Sequence, residues 1–192
     1  TSHAWQLGFS HWRANDIVGR SGAAHDHGGT AETPSFDGDS KISAIDLVYK
    51  WAPEGNPNET NFKFVVEYLD RDENGQITLL NSGPPEETST YIGDQSGWHT
   101  QAIYQFMPHW RTGVRFDKLT ADNQGSDLTV LDEASLLADH DPKRSSIMLE
   151  WIPSEYSRIR LQYNHDETRP ETDKQIYVQY TMSLGAHGAH QF

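Results

Sequence analysis

The chain has 192 residues and no cysteine, which excludes disulfides and thiolate metal sites. An envelope location is compatible with that absence but not indicated by it. No apolar run approaches the roughly 20 residues that a spanning helix needs, so an α-helical membrane protein is excluded. Basic residues are scarce: 15 Lys and Arg stand against 28 Asp and Glu, for a formal net charge of −13. That balance argues against nucleic acid and anionic phospholipid surfaces as partners. Much of the excess acid sits in DRDEN, PPEET and DHDPK, segments that read as solvated connections. No charged-then-apolar leader follows Thr1, so a signal peptide is expected to have been removed or to lie outside the sequence. Nucleophile elbow, phosphate loop and zinc-protease helix motifs are all missing, and no enzyme is expected.

What the chain does have is alternation. Near its end, Ile176, Val178, Tyr180, Met182, Leu184, Ala186 and Phe192 share one parity, and Gln179, Thr181, Ser183, His187 and Gln191 share the other. A period of two describes an extended strand with one apolar and one polar face. The same test gives eight candidate strands, at roughly 3–13, 41–51, 61–71, 97–107, 111–119, 144–152, 157–165 and 174–192. In the seventh, Ile159, Leu161 and Tyr163 oppose Arg158, Arg160, Gln162 and Asn164. Such a polar parity is too charged for a protein core, and antiparallel strands with one wet face fit it. Hydrophobic residues are only 35 % of the chain, yet it carries 6 Trp, 8 Tyr and 7 Phe, the residues that membrane interfaces select.

The connections alternate in length. Long segments such as GRSGAAHDHGGTAETPSFDGDS and DENGQITLLNSGPPEETSTYIGDQS are interleaved with short ones at APEGNPNET, MPHW and PSEY. In an up-and-down barrel this puts the long loops on one rim and the tight turns on the other, as in outer-membrane barrels. Trp51, Trp110 and Trp151 then flank the short turns, with Pro53, Pro108 and Pro153 inside them, and Phe192 ends on the same rim. Trp12, Trp98 and Tyr91 lie toward the other rim, giving two aromatic girdles. The expected fold is therefore all-β: one antiparallel, up-and-down transmembrane β-barrel domain over residues 1–192, with about eight strands visible.

The stretches SAIDLVYKWAPEGNPNETNFKFVVEYL, GWHTQAIYQFMPHWRTGVRFDKL, IMLEWIPSEYSRIRLQYNHDETRP and YVQYTMSLGAHGAHQF carry a resemblance. They look like the C-terminal part of a proteobacterial outer-membrane family related to the phosphate-selective porins O and P, often labelled zinc-regulated outer-membrane receptors or porins. The resemblance implies a larger barrel, of which this chain is the C-terminal portion. It also implies outer-membrane lipid as surroundings and recognition of the last strand by the barrel assembly machinery.

The polar parity supplies the candidate functional residues: Lys63, Glu67, Gln101, Gln105, Arg115, Asp117, Glu150, Arg158 and Arg160. Lining a wide lumen, they would select small solutes by charge; paired in a narrow one, they would plug it. Histidine offers the other candidates. His25, Asp26 and His27 form HDH in a glycine-rich stretch, a donor set suited to Zn²⁺ as a cofactor, with a solvated polar loop as the plain alternative. His187 and His190 are three apart, so on a regular strand they point to opposite faces. Three functions remain open: porin-like passage of small hydrophilic solutes, a non-conducting structural or adhesive barrel, and a soluble β-barrel that binds a metal or an apolar ligand.

Overall fold

The computed structural model describes residues 2–26, 31–137 and 140–184. Strands β1 (His3–Ser21), β3 (Ala31–Trp51), β4 (Asn61–Leu80), β5 (Glu87–Met107), β6 (Trp110–Gln124), β7 (Lys143–Ser154), β8 (Ser157–Glu167) and β9 (Asp173–Met182) form one antiparallel sheet. Each strand lies beside its neighbour in sequence, and a two-residue strand β2 (His25–Asp26) pairs with β3. The fold is all-β and up-and-down, as the alternation predicts. Among the described residues the sheet is open, with β1 and β9 at its edges.

The strands outrun the expected boundaries on one side. Much of GRSGAAHDHGGTAETPSFDGDS and DENGQITLLNSGPPEETSTYIGDQS, expected as long loops, extends β1, β3, β4 and β5 instead. Pairing is unbroken from Trp51↔Phe62 to Thr33↔Leu80, and from Asn61↔Gln105 to Leu79↔Glu87. In these extensions both parities carry polar residues, so the apolar contrast that marks a strand in sequence disappears while the backbone ladder continues. The tight turns stand where they are expected. His109, at φ 69, turns β5 into β6, and Glu54 and Gly55, at φ 52 and 75, turn β3 toward β4.

Register fixes the two faces, because directly paired residues share one. On one face lie Trp5, Leu7 and Phe9 of β1, Ile45, Leu47 and Tyr49 of β3, and Phe62, Phe64, Val66 and Tyr68 of β4. Trp98, Ala102 and Tyr104, Val114 and Phe116, Ile147 and Leu149, Ile159, Leu161 and Tyr163, and Ile176, Val178 and Tyr180 continue that face to β9. These side chains are not a core: Leu7 is 72 % exposed, Phe9 75 % and Val178 76 %.

The core lies on the opposite face, toward the ends of β3–β5 that join the longer connections. Phe36, Ile77, Leu79 and Tyr91 are covered there by Val130 and Leu131 of the short helix α1 (Leu128–Glu133), whose N-cap Asp127 accepts from the Thr129 amide at 2.9 Å. The connection between β6 and β7 thus folds back over the sheet. It is pinned by reciprocal hydrogen bonds between Thr90 and Ser126, both 3.0 Å, and by the Asp127 amide donating to Ser89 Oγ at 2.9 Å. Tyr91, expected in an aromatic girdle, is instead 1 % exposed in this cluster and stands edge-on to Phe36 at 5.9 Å. Trp12 also departs from that expectation: it pairs with Ile42, which pairs with Arg71, and so lies on the polar face. A girdle cannot be read from position along a strand alone, because parity decides the face. Phe192, His187 and His190 lie outside the described residues.

Candidate functional site

All nine residues expected on the polar parity fall on one face of the sheet. Lys63 shares a row with Ile103, Glu67 with His99 and Asp117, Gln101 with Arg115, and Gln105 with Arg111, Glu150 and Arg160. Arg158 follows two residues before Arg160 on β8. The structure brings several together as pairs. Glu150, 3 % exposed, accepts from Arg160 at 2.8 and 3.0 Å, with Arg158 at 3.6 Å. Arg115 grips Asp117 through contacts of 2.7–3.0 Å. Gln105 accepts from Arg111 Nε at 3.1 Å and donates to the Asn58 carbonyl at 2.7 Å, tying the strand end to the turn before β4. Lys63 faces Lys50 across β3, and Glu67 faces Asp46; among the described residues, neither Lys63 nor Glu67 is in an ion pair.

Between β5 and β8 the polar face holds a cavity of about 290 Å³, lined by Gln101, Arg115, Arg144, Arg160, Gln162 and Asn164 among others. Arg144, absent from the expected set, meets Asp166 at 3.7 Å. Its parity on β7 matches Glu150, so alternation alone could have identified it.

A second charged group shows that signal only at Arg71, which shares the parity of Lys63 and Glu67; its other members lie beyond the expected strands. Glu73 of β4, 4 % exposed, accepts from Arg20 of β1 at 2.5 and 3.0 Å and from Arg71 at 2.6 Å. Burial alone would push its carboxyl up, but hydrogen bonds from Arg20 and Arg71 outweigh that and hold it below the usual carboxylate range. Arg20 also stacks its guanidinium over Phe36 at 4.3 Å, joining the charge cluster to the apolar core under α1.

The expected aromatics Trp51, Trp110 and Trp151 lie on the apolar face beside the short turns. Trp110 and Trp151 are paired across strands with ring centroids 6.3 Å apart. Trp51 pairs with Phe62, and at the other end of the band Tyr68 pairs with Trp98. Of the metal candidates, His25 and Asp26 form β2, whose backbone pairs with Glu32 and Ala31, and His27 lies outside the described residues. Among the described residues, no group of three His, Asp or Glu side chains is placed to hold an ion.

No family model matches the chain, and no solved structure matches it. A protein of Aquifex aeolicus (strain VF5), described as an uncharacterized protein, is 30 % identical over 166 residues. The match covers 84 % of this chain and 33 % of that protein, so the chain spans about a third of the length of the curated relative.

Proposed function

We propose that the sheet is part of the wall of a bacterial outer-membrane β-barrel. Its apolar face meets lipid, and its polar face lines a lumen through which small hydrophilic solutes or ions pass without catalysis. The observation that carries the reading is the continuous apolar band. It runs in register across eight strands, every member exposed or half-exposed and none buried, with aromatic residues at both ends. On β5 it extends from Trp98 to Phe106, about 26 Å along the strand. A tilted strand needs about 9–11 residues to cross a bilayer, which this band meets. Water would leave such a band as a large aggregation-prone patch. The resemblance to barrels related to the phosphate-selective porins O and P agrees with this reading, including recognition of the last strand by the assembly machinery.

The test is reconstitution of the purified protein, with every strand of its barrel wall present, into planar bilayers. Stepwise conductance is the expected outcome, and a water-soluble monomer without detergent would overturn the membrane assignment. A barrel that inserts but does not conduct is the second reading. It is favoured by one observation: α1 and its flanking residues fold across the polar face instead of away from it. Protease-resistant, heat-modifiable insertion without conductance would select it.

A further inference from the structure

The polar face is interrupted by an apolar shelf. Leu69, Gly97 and Leu119 occupy one row across β4–β6, and Ile42 and Ala121 belong to the next row toward α1. Leu119 leans over Gly97, its Cδ2 within 2.6 Å of where a Cβ on the glycine would stand, so a side chain there would displace the leucine. The shelf is not packed against protein: Leu119 is 59 % exposed and Leu69 38 %. Leu136, from the segment after α1 and packed against the Phe36 core, lines the same cavity, which measures about 640 Å³. That volume lies within the range of pockets that enclose small molecules.

Of the charged residues that line this cavity, Arg71, Asp117 and Arg144 lie on the shelf's own face, whereas Lys118 and Lys143 share the row of Trp98 on the other face. Arg144 is taken by Asp166 at 3.7 Å, and Asp117 by Arg115. Arg71 is the cation on the shelf itself. Glu73 takes one end of its guanidinium at 2.6 Å, while among the described residues Nη1 reaches Gln95 alone, at 3.5 Å, and 36 % of the side chain stays exposed. A ligand carboxylate could replace that long contact with a charge-assisted bond.

We propose that this shelf binds a small carboxylate with a compact apolar body, the body on Leu69, Leu119 and Leu136 and the carboxylate at Arg71. Both halves of the ligand are needed. A bare anion leaves the leucines wet, and an apolar cation meets the arginine with the wrong sign. The site does not depend on ions passing through a lumen, so binding and conductance succeed or fail separately.

Saturation-transfer NMR tests it on the full chain, held in nanodiscs or in detergent-free buffer, whichever keeps it monodisperse, with empty nanodiscs subtracted. The probes are cyclohexanecarboxylate, acetate and cyclohexylammonium. The first should bind saturably, and the other two at least about tenfold more weakly. Leu119→Asn changes an exposed residue that the fold does not need, and should weaken cyclohexanecarboxylate about tenfold, the share expected of one leucine's apolar contact; Leu69→Asn serves as an independent second variant. Equal binding of the three probes, no saturable signal, or unchanged affinity in both variants would overturn the proposal.

Discussion

Arg20 on β1 reaches past β3 to hold Glu73 on β4 through two hydrogen bonds of 2.5 and 3.0 Å. This pairing ties three strands together beside the core that α1 covers, at a position where the carboxylate has lost its water. Because folding lowers the pKa of Glu73, the ionised group stabilises the fold above its unfolded value of about 4.3. That contribution drains away as pH falls through the folded value. Glu73→Gln should therefore cost about 2–4 kcal/mol near neutral pH, tempered by the partial exposure of both arginines, and should flatten the acid limb of the stability profile. Urea unfolding followed over about pH 3–7 checks both effects. An unchanged acid limb would mean that other carboxylates govern it.

Leu131 is 0 % exposed against Phe36, Ile77, Leu79 and Tyr91. Leu131→Ala should destabilise the region by about 2–4 kcal/mol and loosen the segment from the polar face. Limited proteolysis reads this directly, through new cleavage between residues 125 and 137. Protection equal to that of the wild type would show that the hydrogen bonds of Ser126 and Asp127 hold the segment without the leucine.

The apolar band was legible because Ile159, Leu161 and Tyr163 alternate with residues too polar to share their environment, and a period of two translates directly into two faces. Beyond the band the code weakens. In DRDEN, Asp70 and Asp72 lie on one face while Arg71 and Glu73 lie on the other, yet all four are charged. Strand continuation there follows from backbone pairing, which leaves no mark on composition. The partnership of Arg20 with Glu73 spans 53 residues, and nothing local to either position announces it. The inward packing of Val130 and Leu131 was hidden for a different reason: in TVLDE two apolar residues set no period, and only the tertiary fold shows which surface they cover.

Leu161 and Gln162 are neighbours on opposite faces of β8. With the protein inserted in a bilayer, cysteine at Leu161 should react with a lipid-soluble label and resist a water-soluble one, and cysteine at Gln162 should do the reverse. Equal reaction of both positions with the water-soluble reagent would remove lipid from the apolar face.

Arg158 and Arg160 approach the same carboxylate but are not equivalent. Arg160 holds Glu150 at 2.8 Å and is 27 % exposed, whereas Arg158 stands 3.6 Å away and is 42 % exposed. Reversing Arg160 would place a second acid against a buried Glu150 and should impair folding. Arg158→Glu keeps the Arg160 pair and alters the more exposed of the two charges, which otherwise donates to Thr181 Oγ1 at 3.4 Å. In a conducting barrel it should shift the reversal potential toward cations under a salt gradient. The shift should be largest in dilute salt, because screening extends over only about 8 Å near physiological ionic strength and shortens further as salt rises. Bilayer recordings of wild type and Arg158→Glu at low and high salt provide the comparison. An identical reversal potential at both, with folding intact, would place the conducting path away from β8, or leave the polar face closed.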